Sequence, residues 1–171
     1  MQEPTRTPWD ENGQLEVLTF DLQDETFALE AMLVQEILDL LPETVVPGAP
    51  ALVGSVVNFR GKVIPIADLR RAFGMAEAEA TVDSRIVVIE IELDGETIQI
   101  GIRTDKVHEV ATLARDASEE PPAVGMRWRR DYVRELVRRQ DSVIVLPDLA
   151  AIFHALAGEA EQAVTPASTI H

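Results

Sequence analysis

Arg85-Ile86-Val87-Val88-Ile89-Glu90-Ile91-Glu92-Leu93 runs into Asp94-Gly95 and returns through Thr97-Ile98-Gln99-Ile100. Glu90 and Glu92 alternate with Ile89, Ile91 and Leu93, which puts carboxylates on one face of a strand and aliphatic side chains on the other. Asp-Gly tolerates positive φ at both central positions, the geometry of a two-residue turn, so the stretch reads as a β-hairpin.

Upstream, Val17, Leu18, Phe20 and Leu22 lead into the polar turn Gln23-Asp24-Glu25, and Phe27 and Leu29 follow on the way back. This second hairpin falls on the first without a gap at a shift of 71 positions: Val17 on Val88, Leu22 on Leu93, Glu25 on Glu96, Thr26 on Thr97. A shift of 80 lays Val63-Ile64-Pro65-Ile66-Ala67-Asp68-Leu69-Arg70-Arg71-Ala72-Phe73 over Val143-Ile144-Val145-Leu146-Pro147-Asp148-Leu149-Ala150-Ala151-Ile152-Phe153. The chain reads as an internal duplication. The repeated unit is a buried strand ending at an aspartate whose carboxylate accepts from the free N–H groups of a following helical turn. Gly74 and Gly158 supply helix stops. In the second copy Leu149, Ile152, Phe153 and Leu156 form one stripe, predicting a lid helix over Leu149–Ala157 that lies on a barrel.

The remaining stretches are punctuation. Pro47-Gly48-Ala49-Pro50 breaks the chain before a strand at Ser55–Phe59, Ala76–Ala80 reads as a linker between the halves, and Pro121-Pro122 opens a loop. After Gly158 the tail loses its apolar period and is expected to be disordered. Many strands, few helices and frequent turns make an all-β, small-barrel pattern.

Composition narrows the function. The chain has 171 residues and is 46% hydrophobic, enough for one compact domain or two small barrels with a shared interface. Without cysteine there is no disulfide, thiolate nucleophile or thiolate metal site. The longest apolar runs, such as Val143–Leu146, have strand length, and Met1–Pro8 is polar and proline-broken, so the expected compartment is the cytoplasm. Fifteen basic against 30 acidic residues give a net charge of −15, which repels nucleic acid and anionic lipid at long range. Six arginines (127, 129, 130, 134, 138 and 139) against Asp131 and Glu135 run counter to that sign, with Trp128 and Tyr132 interleaved. They read as a charged strand edge, a docking face for an acidic partner, or a nucleic-acid patch.

No catalytic constellation emerges. His108, in Val107-His108-Glu109-Val110, has no nucleophile at local spacing and reads as a solvent-side or packed histidine rather than a general base. His154 and His171 lie elsewhere, and the three make no zinc pattern. No phosphate-cradling glycine loop occurs. Neither a catalytic residue, a metal site nor a cofactor is expected.

Val34-Gln35-Glu36-Ile37, Gly48-Ala49-Pro50, and Val57-Asn58-Phe59-Arg60-Gly61-Lys62-Val63-Ile64-Pro65-Ile66-Ala67-Asp68-Leu69-Arg70 together resemble the signature of CheW-like domains. Gly101-Ile102, Asp105 and Val107, and the late Asp131-Tyr132-Val133-Arg134 extend the likeness from about Glu16 to Leu156. The resemblance implies a mainly β fold of two small five-stranded SH3/OB-like barrels with partly exchanged strands. It implies no catalysis and no cofactor, and an adaptor that joins a chemoreceptor's helical hairpin tip, docked in the groove between the barrels, to the regulatory domain of a CheA-type histidine kinase, met by strand-edge surfaces, in chemotaxis-like signalling. Its expected limits are a disordered tail over 1–14, a CheW-like domain over 15–157 split roughly into 15–75 and 80–157, and a disordered tail over 158–171. Val34 and Glu36 match receptor-contact positions and Arg60 matches the arginine of the family's Asn-x-Arg-Gly turn. Asn58, Gly61, Gly101 and Val107 complete the expected partner-binding set.

The turn can also be read on its own terms. Gly61 permits a tight reversal, Asn58 can bond back to it, and Arg60 is projected outward as a planar five-donor fork. Either that fork grips a partner carboxylate, or it pairs internally, for instance with Glu36, and holds the two barrels in register. The sequence departs from the family at Ser55, where glycine is common, at Arg103 and Thr104, where apolar residues are, and at Arg134-Glu135 in place of Arg-Gly. A groove lined by Arg103 and Thr104 would be more polar. The rival readings are an oligonucleotide-binding barrel, which needs aromatic platforms that a 5% aromatic, acidic chain lacks, and a detached kinase regulatory domain, for which no phosphotransfer histidine or ATP-binding segment is present.

Overall fold

A computed structural model of the chain describes residues 7–121 and 130–155. The strands are β1 (Gln14–Leu22), β2 (Glu25–Glu30), β3 (Val34–Asp39), β4 (Thr44–Val45), β5 (Ser55–Phe59) and β6 (Lys62–Ala67). After helix α1 (Leu69–Ala72) come β7 (Arg85–Leu93), β8 (Glu96–Thr104), β9 (Lys106–Ala114), β10 (Ser118–Glu119), β11 (Val133–Arg139) and β12 (Ser142–Pro147). Helix α2 follows over 149–155.

Two curled sheets result, in the orders β10-β11-β12-β2-β1-β9 and β4-β5-β6-β8-β7-β3. Each has five longer strands and a two-residue strand at one rim. The orders correspond under the repeat, with β1 and β2 in the place of β7 and β8, and β9 to β12 in the place of β3 to β6. Each sheet therefore takes its central hairpin from the opposite half. Barrel 1 is built from 14–30 and 106–147, barrel 2 from 34–104. A cut at 75–80 crosses both sheets, so the rough limits of 15–75 and 80–157 are those of the repeat copies, and the barrels differ from them by an exchange of strands of the kind the resemblance implied. Sequence similarity located the copies but carries no information about which strand pairs with which.

The exchange explains the composition of the central strands. Val17 points into barrel 1 with Leu113, Val137 and Ile144, and Ile86 and Val88 point into barrel 2 with Val57, Phe59 and Ile66. Their neighbours Leu18, Phe20, Val87 and Ile89 face the other way, into a shared joint with Phe27, Ile102, Phe73, Ile152 and Phe153. Strands covered on both faces are apolar throughout rather than alternating. Only toward its end does β7 alternate, where Glu90 and Glu92 are exposed and Ile91 is buried. Ring contacts at 5.9 Å (Phe20–Phe27), 5.0 Å (Phe27–Phe73) and 6.5 Å (Phe73–Tyr132) run through the joint. Helix α2 covers that joint through Ile152 and Phe153; Leu156 and Gly158 lie outside the described residues.

Residues 7–13 belong to the fold, contrary to the expected tail over 1–14. Asp10 Oδ1 accepts from the Asn12 and Gln14 amides at 2.8 and 2.9 Å, and Trp9 packs against the barrel 1 core, an anchor that the polar, proline-broken composition concealed. Residues 1–6 and the expected tail over 158–171 lie outside the described residues.

Both predicted caps are present. Asp68 Oδ1 accepts from the Arg70 amide at 3.1 Å and Asp148 Oδ1 from the Ala151 amide at 3.0 Å. Gly74 ends α1 at φ 65°, and the Met75 amide donates to the Arg70 carbonyl at 2.9 Å, satisfying one of the free carbonyls of the helix C-terminus. Removing either cap, as Asp68→Ala or Asp148→Ala, should cost about 0.5–2 kcal/mol in urea denaturation, with the buried Asp148 at the upper end. Unchanged midpoints in both variants would contradict the capping role.

One charged group sits inside the junction. Arg70, 2% exposed, pairs with Asp68 at 3.3 Å and with Asp105, the single residue between β8 and β9. Asp105 in turn accepts from the Gln23 amide at 2.6 Å, and its own amide donates to the Asp21 carbonyl at 2.9 Å. A residue of α1 is thereby tied to the β1–β2 turn of the other barrel.

Candidate partner-binding site

The reversal between β5 and β6 brings four of the expected residues together. Arg60 and Gly61 have φ of 52° and 78°, the two left-handed positions of a tight hairpin turn. Asn58 Oδ1 accepts from the Gly61 amide at 3.0 Å. Arg60 lies 5.1 Å over the Phe59 ring and pairs with Glu36 of β3 at 2.6 Å, yet its side chain stays 73% exposed. The ring and the carboxylate orient the guanidinium without covering it.

The Glu36 pair is internal but does not bridge the barrels. Both residues belong to barrel 2, and since β3 lies at one end of its sheet and β5 near the other, the pair ties the two ends of one curled sheet. Barrel 1 has a parallel: Glu109 of β9 meets Arg139 at the β11–β12 turn at 3.6 Å. Exposed pairs of this kind contribute about 0–1 kcal/mol, so neither holds the fold together.

The other expected residues separate. Val34 is partly buried against the joint from β3, and Val107 does the same from β9 of barrel 1. Gly101 is buried in the middle of β8, where an added Cβ would lie 2.6 Å from Ile66 Cδ1 and 2.8 Å from Ile86 Cγ2. It has no surface to offer a partner, and its smallness lets strands pack, so the expected contact role is replaced by a packing role.

Two family departures meet on one carboxylate. Ser55 Oγ donates to Glu43 Oε1 at 2.6 Å, while the Arg103 guanidinium pairs with Glu43 Oε2. Burial draws the Arg103 pKa below the free-guanidinium value. Thr104 is fully buried and donates to the Arg85 carbonyl at 3.2 Å. Neither residue lines an open polar groove as expected, because each finds its partner inside barrel 2.

The arginine-rich segment is likewise engaged. Arg134 pairs with Glu30 at 2.7 Å, Arg138 with Glu119 at 2.9 Å, and Arg130 Nε donates to the Pro121 carbonyl at 3.1 Å. With Arg139 on Glu109, every described arginine of the run has an acceptor; Arg127, Trp128 and Arg129 lie outside the described residues.

Sequence reasoning missed one cluster of side chains. His108 Nε2 meets Asp21 Oδ2 at 2.7 Å, and Thr26 Oγ1 donates to Asp21 Oδ1 at 3.1 Å. This order puts the carboxylate between hydroxyl and imidazole, whereas nucleophile activation needs the imidazole in the middle. A groove of about 170 Å³ lies between the barrels, walled by Leu29, Leu33, Ile91, Leu93 and Leu149. Its residues come from four separated stretches, so its lining could not be read from any local pattern, although the family resemblance implied a groove between the barrels.

Two barrels interlock and carry conformationally fixed side chains on exposed turns, and the Asp21 cluster among the described residues is not a nucleophile-activating relay. The CheW-like domain family model matches residues 16–157, and the chain belongs to that family. It is similar to Chemotaxis protein CheW of Rhizobium meliloti (strain 1021), 31% identical over 142 residues that cover 83% of this chain and 89% of that protein. Chemotaxis protein CheW of Treponema pallidum (strain Nichols) is 27% identical over 140 residues, 82% of each chain. Among solved structures, the scaffolding protein TtCheW from Thermoanaerobacter tengcongensis superposes with a TM-score of 0.71 at 29% identity, covering 81% of this chain and 92% of that one.

Proposed function

We propose that the chain is a non-catalytic chemotaxis adaptor that joins the cytoplasmic tip of a chemoreceptor to the regulatory domain of a CheA-type histidine kinase. The observation that carries this reading is Arg60: a guanidinium pre-oriented by a left-handed turn, Phe59 and Glu36 but still largely in solvent, on a chain of the CheW-like family. Val34 and Glu36 on β3, with Asn58 and Gly61 shaping the turn, form the receptor-facing surface around it, and Val107 contributes from barrel 1. No described helix is long and apolar enough to cross a membrane, in keeping with a cytoplasmic protein recruited to receptor arrays through its partners. The internal pairing of the described arginines argues against the oligonucleotide-binding alternative.

Arg60→Asn tests this directly. Asparagine suits the left-handed position better than arginine, so the variant should unfold at the same denaturant concentration as wild type or up to about 1 kcal/mol later. Receptor-dependent kinase activation in a reconstituted complex should nevertheless be lost. Arg60→Lys should restore little, because a point charge does not replace a planar fork. Full kinase control by Arg60→Asn would remove the residue from the site, and a large fall in stability would show that its work is the Glu36 pair.

A further inference from the structure

The interior of barrel 1 ends in a polar cup. Thr19 of β1, Thr26 of β2, Glu109 of β9, Arg139 of β11 and Ser142 of β12 line it above Ile144, around a space of about 450 Å³. Each stands two positions along its strand from a barrel 1 core residue, in turn Val17, Ala28, Ala111, Val137 and Ile144, so all five continue the inward face of the barrel. Every longer strand gives one polar side chain to the mouth. Barrel 2 closes the same end differently: the shift of 80 puts Phe59 in the place of Arg139, and Phe59, 8% exposed, packs into the barrel 2 core beneath Arg60. One mouth holds an aromatic plug, and the other exchanges it for a guanidinium and stays open.

The groups of that mouth are arranged for a ligand that carries both signs of charge. Arg139 and Glu109 stand 3.6 Å apart, beyond hydrogen-bond reach, and Glu109 is 70% exposed and has room to swing outward. The hydroxyl protons are already committed: Thr19 Oγ1 donates to the Glu109 carbonyl, Thr26 Oγ1 to Asp21 Oδ1 and Ser142 Oγ to the Arg139 carbonyl, each at 3.1 Å. Their oxygens are left as acceptors. An ammonium group, with three donors and no acceptor, matches those oxygens and the Glu109 carboxylate, while a carboxylate matches the Arg139 fork. The charges of Arg139 and Glu109 cancel, and His108 faces the Asp21 carboxylate. A simple anion is repelled at long range by a chain of net charge −15, whereas a zwitterion is not.

We propose that the mouth of barrel 1 binds a free amino acid, its carboxylate on Arg139, its ammonium among Glu109 and the hydroxyl oxygens, and its side chain toward Ile144. Barrel mouths are a recurrent place for small-molecule sites. This one shares no lining residue with the groove between the barrels and lies in the other barrel from the Arg60 turn, so it stands independently of the adaptor reading.

L-alanine is the probe, and propionate and ethylammonium are its two halves. Titrated into the full-length ¹⁵N-labelled chain, L-alanine should shift the amides of Thr19, Thr26 and Ser142 and the Nε–H of Arg139, with saturation on the order of millimolar. Either half, at matched ionic strength, should bind at least about tenfold more weakly. Arg139→Phe, which installs the plug of barrel 2, should abolish the amide shifts. Glu109→Gln should weaken L-alanine at least about tenfold while unfolding at the denaturant concentration of wild type, and it decides the matter if Arg139→Phe fails to fold. The proposal is overturned by a half that saturates the same amides as strongly as L-alanine, by the lack of any saturable shift with L-alanine, or by unaltered L-alanine binding in folded Glu109→Gln.

Discussion

Asp105→Ala should destabilise the fold by about 3–5 kcal/mol, because it strands the Arg70 guanidinium, 2% exposed, with only the 3.3 Å contact to Asp68. It also removes the acceptor of the Gln23 amide, so both barrels lose a tie at once. Arg70→Met should cost clearly less, since methionine fills much of the same volume without a charge, and the carboxylates left behind are 20% and 28% exposed and can rehydrate. The double variant Arg70→Met/Asp105→Ala should then be more stable than Asp105→Ala alone. Urea denaturation of the three proteins is the measurement. Equal losses for the two single variants would mean that packing, not the buried charge, sets the cost.

Gly101→Ala should destabilise by about 1–3 kcal/mol through overpacking. The new methyl meets the end of Ile66, which can rotate away, and Cγ2 of Ile86, a branched methyl fixed close to the strand, which cannot. Ile66→Val removes the nearer atom, so Gly101→Ala/Ile66→Val should cost less than the sum of the single changes. Strict additivity in thermal or chemical unfolding would show that the 2.6 Å approach is relieved elsewhere. Because Gly101 is buried, any loss of kinase control in Gly101→Ala should track the loss of stability rather than exceed it.

The parts of this fold that were legible in the sequence are those fixed by residues close in the chain. The Asp94-Gly95 turn, with φ of 52° and 81°, the Asn58–Gly61 bond and the caps at Asp68 and Asp148 each depend on a few neighbouring residues whose conformational preferences act locally. What stayed hidden depends on distant pairing. Nothing in Gln14–Leu22 specifies that it lies beside Lys106–Ala114, and without that pairing Leu18 and Phe20 read as one face of a half-exposed hairpin. Arg70 lay within the strongest repeat but passed as a helix residue, because its partner Asp105 is separated from it by β7 and β8. The left-handed turn that carries Arg60 was legible because a turn motif announces itself, whereas the fate of Arg103 was not, since Glu43 becomes its neighbour only when β3 to β8 close into a barrel.

The order in which the strands leave the ribosome now acquires a meaning. Residues 34–104 hold every strand of barrel 2, so that barrel can close as soon as they have emerged. The first-made hairpin, β1–β2, pairs with β9 and β12, and must wait for residues up to Pro147 with Leu15, Val17 and Ala28, which it turns into the barrel 1 core, uncovered. Synthesis therefore passes through a stage in which a finished barrel trails an apolar ribbon, the point at which chaperone capture or misassembly acts. Two chains meeting at that stage can each lend the hairpin to the other's β9 and β12, satisfying every native strand contact in a swapped pair.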